Sequence, residues 1–156
     1  MIAARQAQFR QCLAAHQGSM GEYMGSILII DDEEDIRDAL QMILESAGYQ
    51  VQVTSNGAEA IELHRKEPAD VIITDIIMPE KDGVSTIKVI RQESPGIRII
   101  AISGGGGRPI SYMPDAISTS AYLAAAKQAG ADLTITKPFE REELIEAVDS
   151  LLNKIH

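Results

Sequence analysis

Short runs rich in isoleucine and valine recur along this chain with no polar alternation inside them, most clearly SILIID at 26–31, DVIITD at 70–75 and IRIIAIS at 97–103. A strand with one wet face alternates apolar and polar residues, so a run that is apolar throughout needs cover on both faces. Between the runs the spacing turns helical. Ile36, Ala39, Leu40, Ile43, Leu44 and Ala47 share one helix face, closed by Gly48. Tyr49–Thr54 reads as a second strand and Ala58–Lys66 as a second helix before Pro68. Gly83–Glu93 reads as a third helix ended by Pro95, and Ser120–Ala129 as a fourth ended by Gly130. Ala131–Thr136 makes the fifth strand and Glu140–Lys154 the fifth helix. Five strand–helix units at this spacing predict an α/β fold, a doubly wound parallel sheet with helices on both faces.

In such a sheet, ligands bind beyond the carboxyl ends of the strands. Asp31 and Asp32 fall at the end of the first strand, Asp75 at the end of the third, Ser103 at the end of the fourth and Lys137 just after the fifth. Three carboxylates crowded together oppose one another's ionisation. A divalent cation removes that cost, and all-oxygen ligation with retained waters suits magnesium. A carboxylate can also attack phosphorus to give an acyl phosphate, with the lysine supplying fixed positive charge to the phosphoryl oxygens. Taken singly, each residue has a plainer reading. Asp32 suits the N-cap of the first helix, Asp75 suits a loop acid ahead of the Met78-Pro79 turn, and a lone lysine or serine is ordinarily solvated. Their meeting on one sheet edge favours the chemical reading.

Composition narrows the class. The 156 residues fit a single domain with a real core, and 23 acids against 14 Lys plus Arg give a formal charge of −9. That surface repels nucleic acid and anionic lipid, so neither is an expected direct partner. No apolar run approaches the length of a membrane span. The one cysteine, Cys12, has no partner for a disulfide and no metal-type spacing with the histidines, which favours a reducing, cytoplasmic setting. Residues 1–25 stand apart as a leader. Arg5–His16 allows a short amphipathic helix, Gly18, Gly21 and Gly25 then break the pattern, and Gly-Ser-Met at 18–20 has the look of a cloning remnant. Residues 26–156 form the domain.

The runs ILIIDDEEDIR, DVIITDIIMPEKDG, IRIIAISG and ADLTITKPF, in this order, resemble the receiver domain of two-component response regulators. The resemblance covers about residues 26–155 and implies a flavodoxin-like fold of five strands in the order 2-1-3-4-5. It implies Asp75 as phosphoacceptor, charged by a histidine kinase or histidine phosphotransfer protein. It implies that Asp31, Asp32, Asp75 and the backbone carbonyl of Ile77 hold Mg2+. Lys137 would contact the phosphoryl group across a cis bond to Pro138, Ser103 would be the switch hydroxyl, and Gly104 after it would leave the phosphoryl site open.

Three departures from the family pattern stand out. Thr134 occupies the strand-five position where receivers often carry a switch aromatic, so any output change is expected to run through Ser103 and the loop after it. That loop, Gly104 to about Ser118, exceeds the usual connection length. Its four glycines lack the Gly-Lys-Ser/Thr of a nucleotide cradle; it reads as a flexible surface insert or as a partner surface offering Ile110, Tyr112 and Met113. The sequence stops at His156 directly after the fifth helix, so a stand-alone domain is expected, signalling to an unknown output protein by contact or by onward phosphotransfer, as a monomer or weak homodimer. A magnesium-dependent aspartyl-phosphate phosphohydrolase is one competing reading, weakly mimicked by Asp31 with Glu33. A receiver-like binding module that is never phosphorylated is the other. No enzymatic activity is expected beyond self-phosphorylation and self-dephosphorylation.

Overall fold

The computed structural model describes residues 24–76, 83–103 and 116–153, and the side chains of all of these except 116–122. The leader up to residue 23, the Met78-Pro79 turn, the Ile77 carbonyl, the glycine run with Ile110, Tyr112 and Met113, and the last three residues therefore lie outside it. The strands are β1 (Ser26–Ile30), β2 (Gln50–Thr54), β3 (Val71–Asp75), β4 (Arg98–Ser103) and β5 (Leu133–Thr136). The helices are α1 (Glu34–Ser46), α2 (Gly57–Lys66), α3 (Gly83–Glu93), α4 (Ala116–Ala129) and α5 (Arg141–Asn153). All strand pairs are parallel and the order is β2-β1-β3-β4-β5, the flavodoxin-like arrangement the sequence implied.

Period-two side-chain geometry divides the core into two layers. Leu28, Ile30, Ile72, Ile99 and Ala101 face one way and pack on Ala60 of α2, Val84, Ile87 and Ile90 of α3, and Ala126 of α4. Their neighbours Ile27, Ile29, Val71, Ile73, Ile100 and Ile102 face the other way, onto Leu40 and Leu44 of α1 and Leu144, Val148 and Leu151 of α5. Both faces of the central strands β1, β3 and β4 are thus covered, which is why those sequences carry little polar alternation, while the outer strands β2 (QVQVT) and β5 (LTIT) alternate. No helix among the described residues is long and apolar enough to cross a membrane.

Element bounds differ from the sequence reading in two informative ways. The apolar runs start before the ladders do: Tyr49 is buried, yet its amide bonds to Leu44 O at the close of α1 rather than to a neighbouring strand. α4 begins at Ala116, four residues ahead of the expected Ser120. Ser118, Thr119 and Ser120 have only modest helix penalties, which the alanine-rich remainder offsets. The irregular stretch after Gly104 therefore ends before Ala116 rather than at Ser118.

Candidate functional site

The sheet register brings the predicted residues to one level. Ile30 pairs with Thr74, which sets Asp31 beside Asp75, and Asp75 in turn pairs with Ile102. Ladder-type bonds continue past the strand ends and hold the backbone of each site residue. Asp31 N–H donates to Thr54 O (3.1 Å), Ile76 N–H to Ile102 O (3.0 Å) and Lys137 N–H to Ser103 O (2.7 Å). The side chains are thus presented from hydrogen-bonded backbone at the strand ends.

The β1–α1 turn is fixed from two directions. Asp31 Oδ1 accepts the Glu33 amide at 2.9 Å, and the Arg37 guanidinium on the first turn of α1 donates to the Asp31 carbonyl at 2.8 Å. The N-cap position of α1 belongs to Glu33, not to Asp32 as the plainer reading had it, and the Glu33 side chain makes no capping bond. The turn folds the acids inward instead. One carboxylate oxygen from each of Asp31, Asp32, Glu33 and Asp75 lies within 4.8 Å of the others. Asp31 and Asp75 are buried; Asp32 and Glu33 are half-buried.

Lys137 closes the group from β5. Its Nζ stands 3.5 Å from Asp31 Oδ2 and 3.4 Å from Asp75 Oδ2, with all three side chains buried. The Lys137–Pro138 peptide bond is cis. Burial pushes the Asp31 carboxyl up to about 6, with the negative charge of Asp75 adding to the rise and the Glu33 amide and the Lys137 ammonium opposing it. Ser103, at the end of β4, is fully buried and its Oγ has no hydrogen-bond partner among the described residues. Thr134 on β5 is half-buried and pairs with Ala101.

On the acceptor side, Gly83 opens α3 against the end of β3. Its N–H bonds to Ile76 O at 3.0 Å, and a Cβ there would run into the Asp75 carbonyl and Ile76 Cα. Glycine lets α3 start this close to the acceptor strand.

The donor set is entirely oxygen, supplied by four converging carboxylates, with a buried hydroxyl at the neighbouring strand end that has no partner among the described residues. That chemistry fits a hard divalent cation of the magnesium kind and fits no soft metal. Asp31, Asp32, Asp75, Lys137 and Ser103 all lie at this edge, while the Ile77 carbonyl lies outside the described residues. Glu33 is the member that reading the sequence for this site did not single out. Its only sequence signal is adjacency to the Asp pair, which helix-first-turn acids share.

Known proteins share this plan. Residues 27–149 match the family described as response regulator receiver domain. The chain is 37% identical over 128 residues to the chemotaxis protein CheY of Bacillus subtilis, covering 81% of this chain and 97% of that protein. It is 31% identical to the response regulator receiver protein CpdR of Brucella abortus, covering 83% and 98%. Among solved structures, a CheY-like receiver domain protein from Methanospirillum hungatei superposes with a TM-score of 0.70 at 25% identity, covering 87% of this chain and 96% of that one. NtrX from Brucella abortus, solved with ADP, superposes with a TM-score of 0.72 at 25% identity, but this chain spans only 28% of its length. With fold, strand order and family match in agreement, the chain belongs to the response regulator receiver domain family of two-component signalling.

Proposed function

We propose that this receiver accepts a phosphoryl group on Asp75 from the phosphohistidine of a kinase or phosphotransfer protein, and signals by protein contact or onward transfer. The observation that carries the reading is the buried Asp75 carboxylate, level with Asp31 and 3.4 Å from the Lys137 ammonium. An Asp75 oxygen attacks phosphorus; the O–P bond forms as the P–N bond breaks, and the departing imidazole keeps the electron pair and is left to take a proton. Asp31 and Asp32, with Asp75, would hold Mg2+, which when bound neutralises charge on the transferring phosphoryl oxygens. Lys137 offers those oxygens a fixed positive charge. The Ser103 hydroxyl is suited to donate to the phosphoryl group and so to couple its presence to β4 and the loop after it. The chemistry on this reading is limited to the domain's own phosphorylation and dephosphorylation, in the cytoplasm. The matched segment covers nearly the whole of CheY and CpdR. Of the transcriptional regulatory protein GlrR of Escherichia coli, in contrast, this chain spans 26%.

The test is incubation with Mg2+ and a small-molecule phosphodonor, followed by intact mass. One added phosphoryl group in the native chain, lost in Asp75→Asn, is the expected result. An adduct that persists in Asp75→Asn, or none with any donor, overturns the assignment, and rapid turnover of free phosphomonoesters favours the phosphohydrolase instead.

A further inference from the structure

We propose that Glu33 belongs functionally to the cation site, where its carboxylate raises the affinity for a divalent cation by charge at short range. The inference rests on the proposed function and extends it to a residue outside the aspartate set.

Three observations carry it. Glu33 occupies the N-cap of α1 with extended backbone (φ −93°, ψ 116°), where a side-chain oxygen ordinarily accepts from the amides of the first helical turn. Glu33 makes no such bond. Its main chain is committed nonetheless: the amide donates to Asp31 Oδ1 at 2.9 Å, and the carbonyl accepts the Arg37 amide at 3.0 Å. With the main chain tied down on both sides, the side chain is delivered to the acid group, within 4.8 Å of oxygens from Asp31, Asp32 and Asp75. The third observation is the donor chemistry beside it, where the buried Ser103 hydroxyl, without a partner among the described residues, and the Lys137 ammonium mark the same edge as built for charged oxygen ligands.

A plainer role for Glu33 is compensation of the α1 dipole. Glu34 and Asp35, exposed in the first turn, already supply that. The two roles predict different responses. A carboxylate about 5 Å from a divalent ion changes its affinity by about tenfold even at the dielectric of water, whereas an exposed acid farther along the helix is largely screened.

The experiment is a titration of the full chain with Mn2+, without phosphodonor, counting free ion by electron paramagnetic resonance. Mg2+ competition in the same samples ties the result to the proposed cation, and far-UV circular dichroism checks folding. Glu33→Gln is expected to weaken binding by about tenfold, Glu33→Asp by less, and Glu34→Gln by under about twofold. A native chain that binds while Glu33→Gln binds within twofold of it overturns this inference alone, as does an equal loss in Glu34→Gln. A native chain that binds no divalent ion overturns both this inference and the cation part of the proposed function.

Discussion

A carboxylate that is 2% exposed and faces a second buried carboxylate is costly to ionise, and Asp31 is that group. Its folded-state value, pushed up to about 6 from 3.8, means that the folded protein holds the proton more tightly than the unfolded chain does. Stability from this group is therefore complete below about pH 4 and is lost as pH rises through about 6, levelling off above. We predict that in chelator the native chain loses about 2–3 kcal/mol from this group across that window, read by urea unfolding at a series of pH values. Asp31→Asn should remove that slope and be the more stable protein at pH 7.5; a native profile that rises between pH 4 and 6 as steeply as the variant's would refute this. Asp31, Asp75 and Lys137 are legible in the sequence because an acid or lysine that ends an unbroken apolar run has only the sheet edge to occupy. Glu33 is not legible, because its placement depends on the hydrogen bond between its own amide and Asp31 Oδ1.

Among the elements, α3 is the one whose two ends were both readable. Gly83 opens it and Pro95 follows its close, and the observed Gly83–Glu93 coincides with the expected span. The structure adds why the opening residue is glycine. A methyl group at Gly83 would meet the Asp75 carbonyl and Ile76 Cα, both main-chain atoms that cannot rotate aside. Gly83→Ala is accordingly expected to destabilise the fold by about 2–4 kcal/mol through displacement of α3 or the end of β3. It should also slow phosphorylation of Asp75, and an unchanged unfolding midpoint would sink the argument. α4 was misread for a different reason. Its first turn, Ala-Ile-Ser-Thr, carries weak local signals, and the alanine-rich remainder together with packing of Leu123, Ala126 and Ala129 against the sheet-side core supports the longer helix.

Across the whole molecule, the starts of β4 and β5, at the edge of the sheet opposite the site, are joined through one guanidinium. The Arg91 guanidinium, at the end of α3, donates to the carbonyls of Pro95, Ile97 and Gly130 and pairs with Asp132 at 2.9 Å. Asp132 Oδ2 also accepts the Ile99 amide at 2.8 Å, so the starts of β4 and β5 are fastened together. Gly130 serves here with φ +129°, a left-handed backbone that side chains rarely adopt. Arg91→Ala should cost about 2 kcal/mol of stability, because several half-buried acceptors lose their donor at once. Arg65→Ala, which removes exposed pairs with Glu62 and Glu93, should shift the urea midpoint less. Equal shifts for the two variants would contradict the clamp. The five-unit architecture was legible at this scale from the alternation of apolar runs and helical spacing. The clamp was not, since it joins residues about forty positions apart whose types are ordinary in loops.

The clamp also gives β5 a mechanical character. The strand is held at Gly130–Asp132 and carries Lys137 at its far end, about 17 Å away at the usual strand rise. Between these points β5 is laddered to β4, and the Lys137 amide is itself bonded to Ser103 O, so both ends of the strand are fixed. The ammonium stands 3.4 and 3.5 Å from its two carboxylates, so a single strand end sets both contacts together.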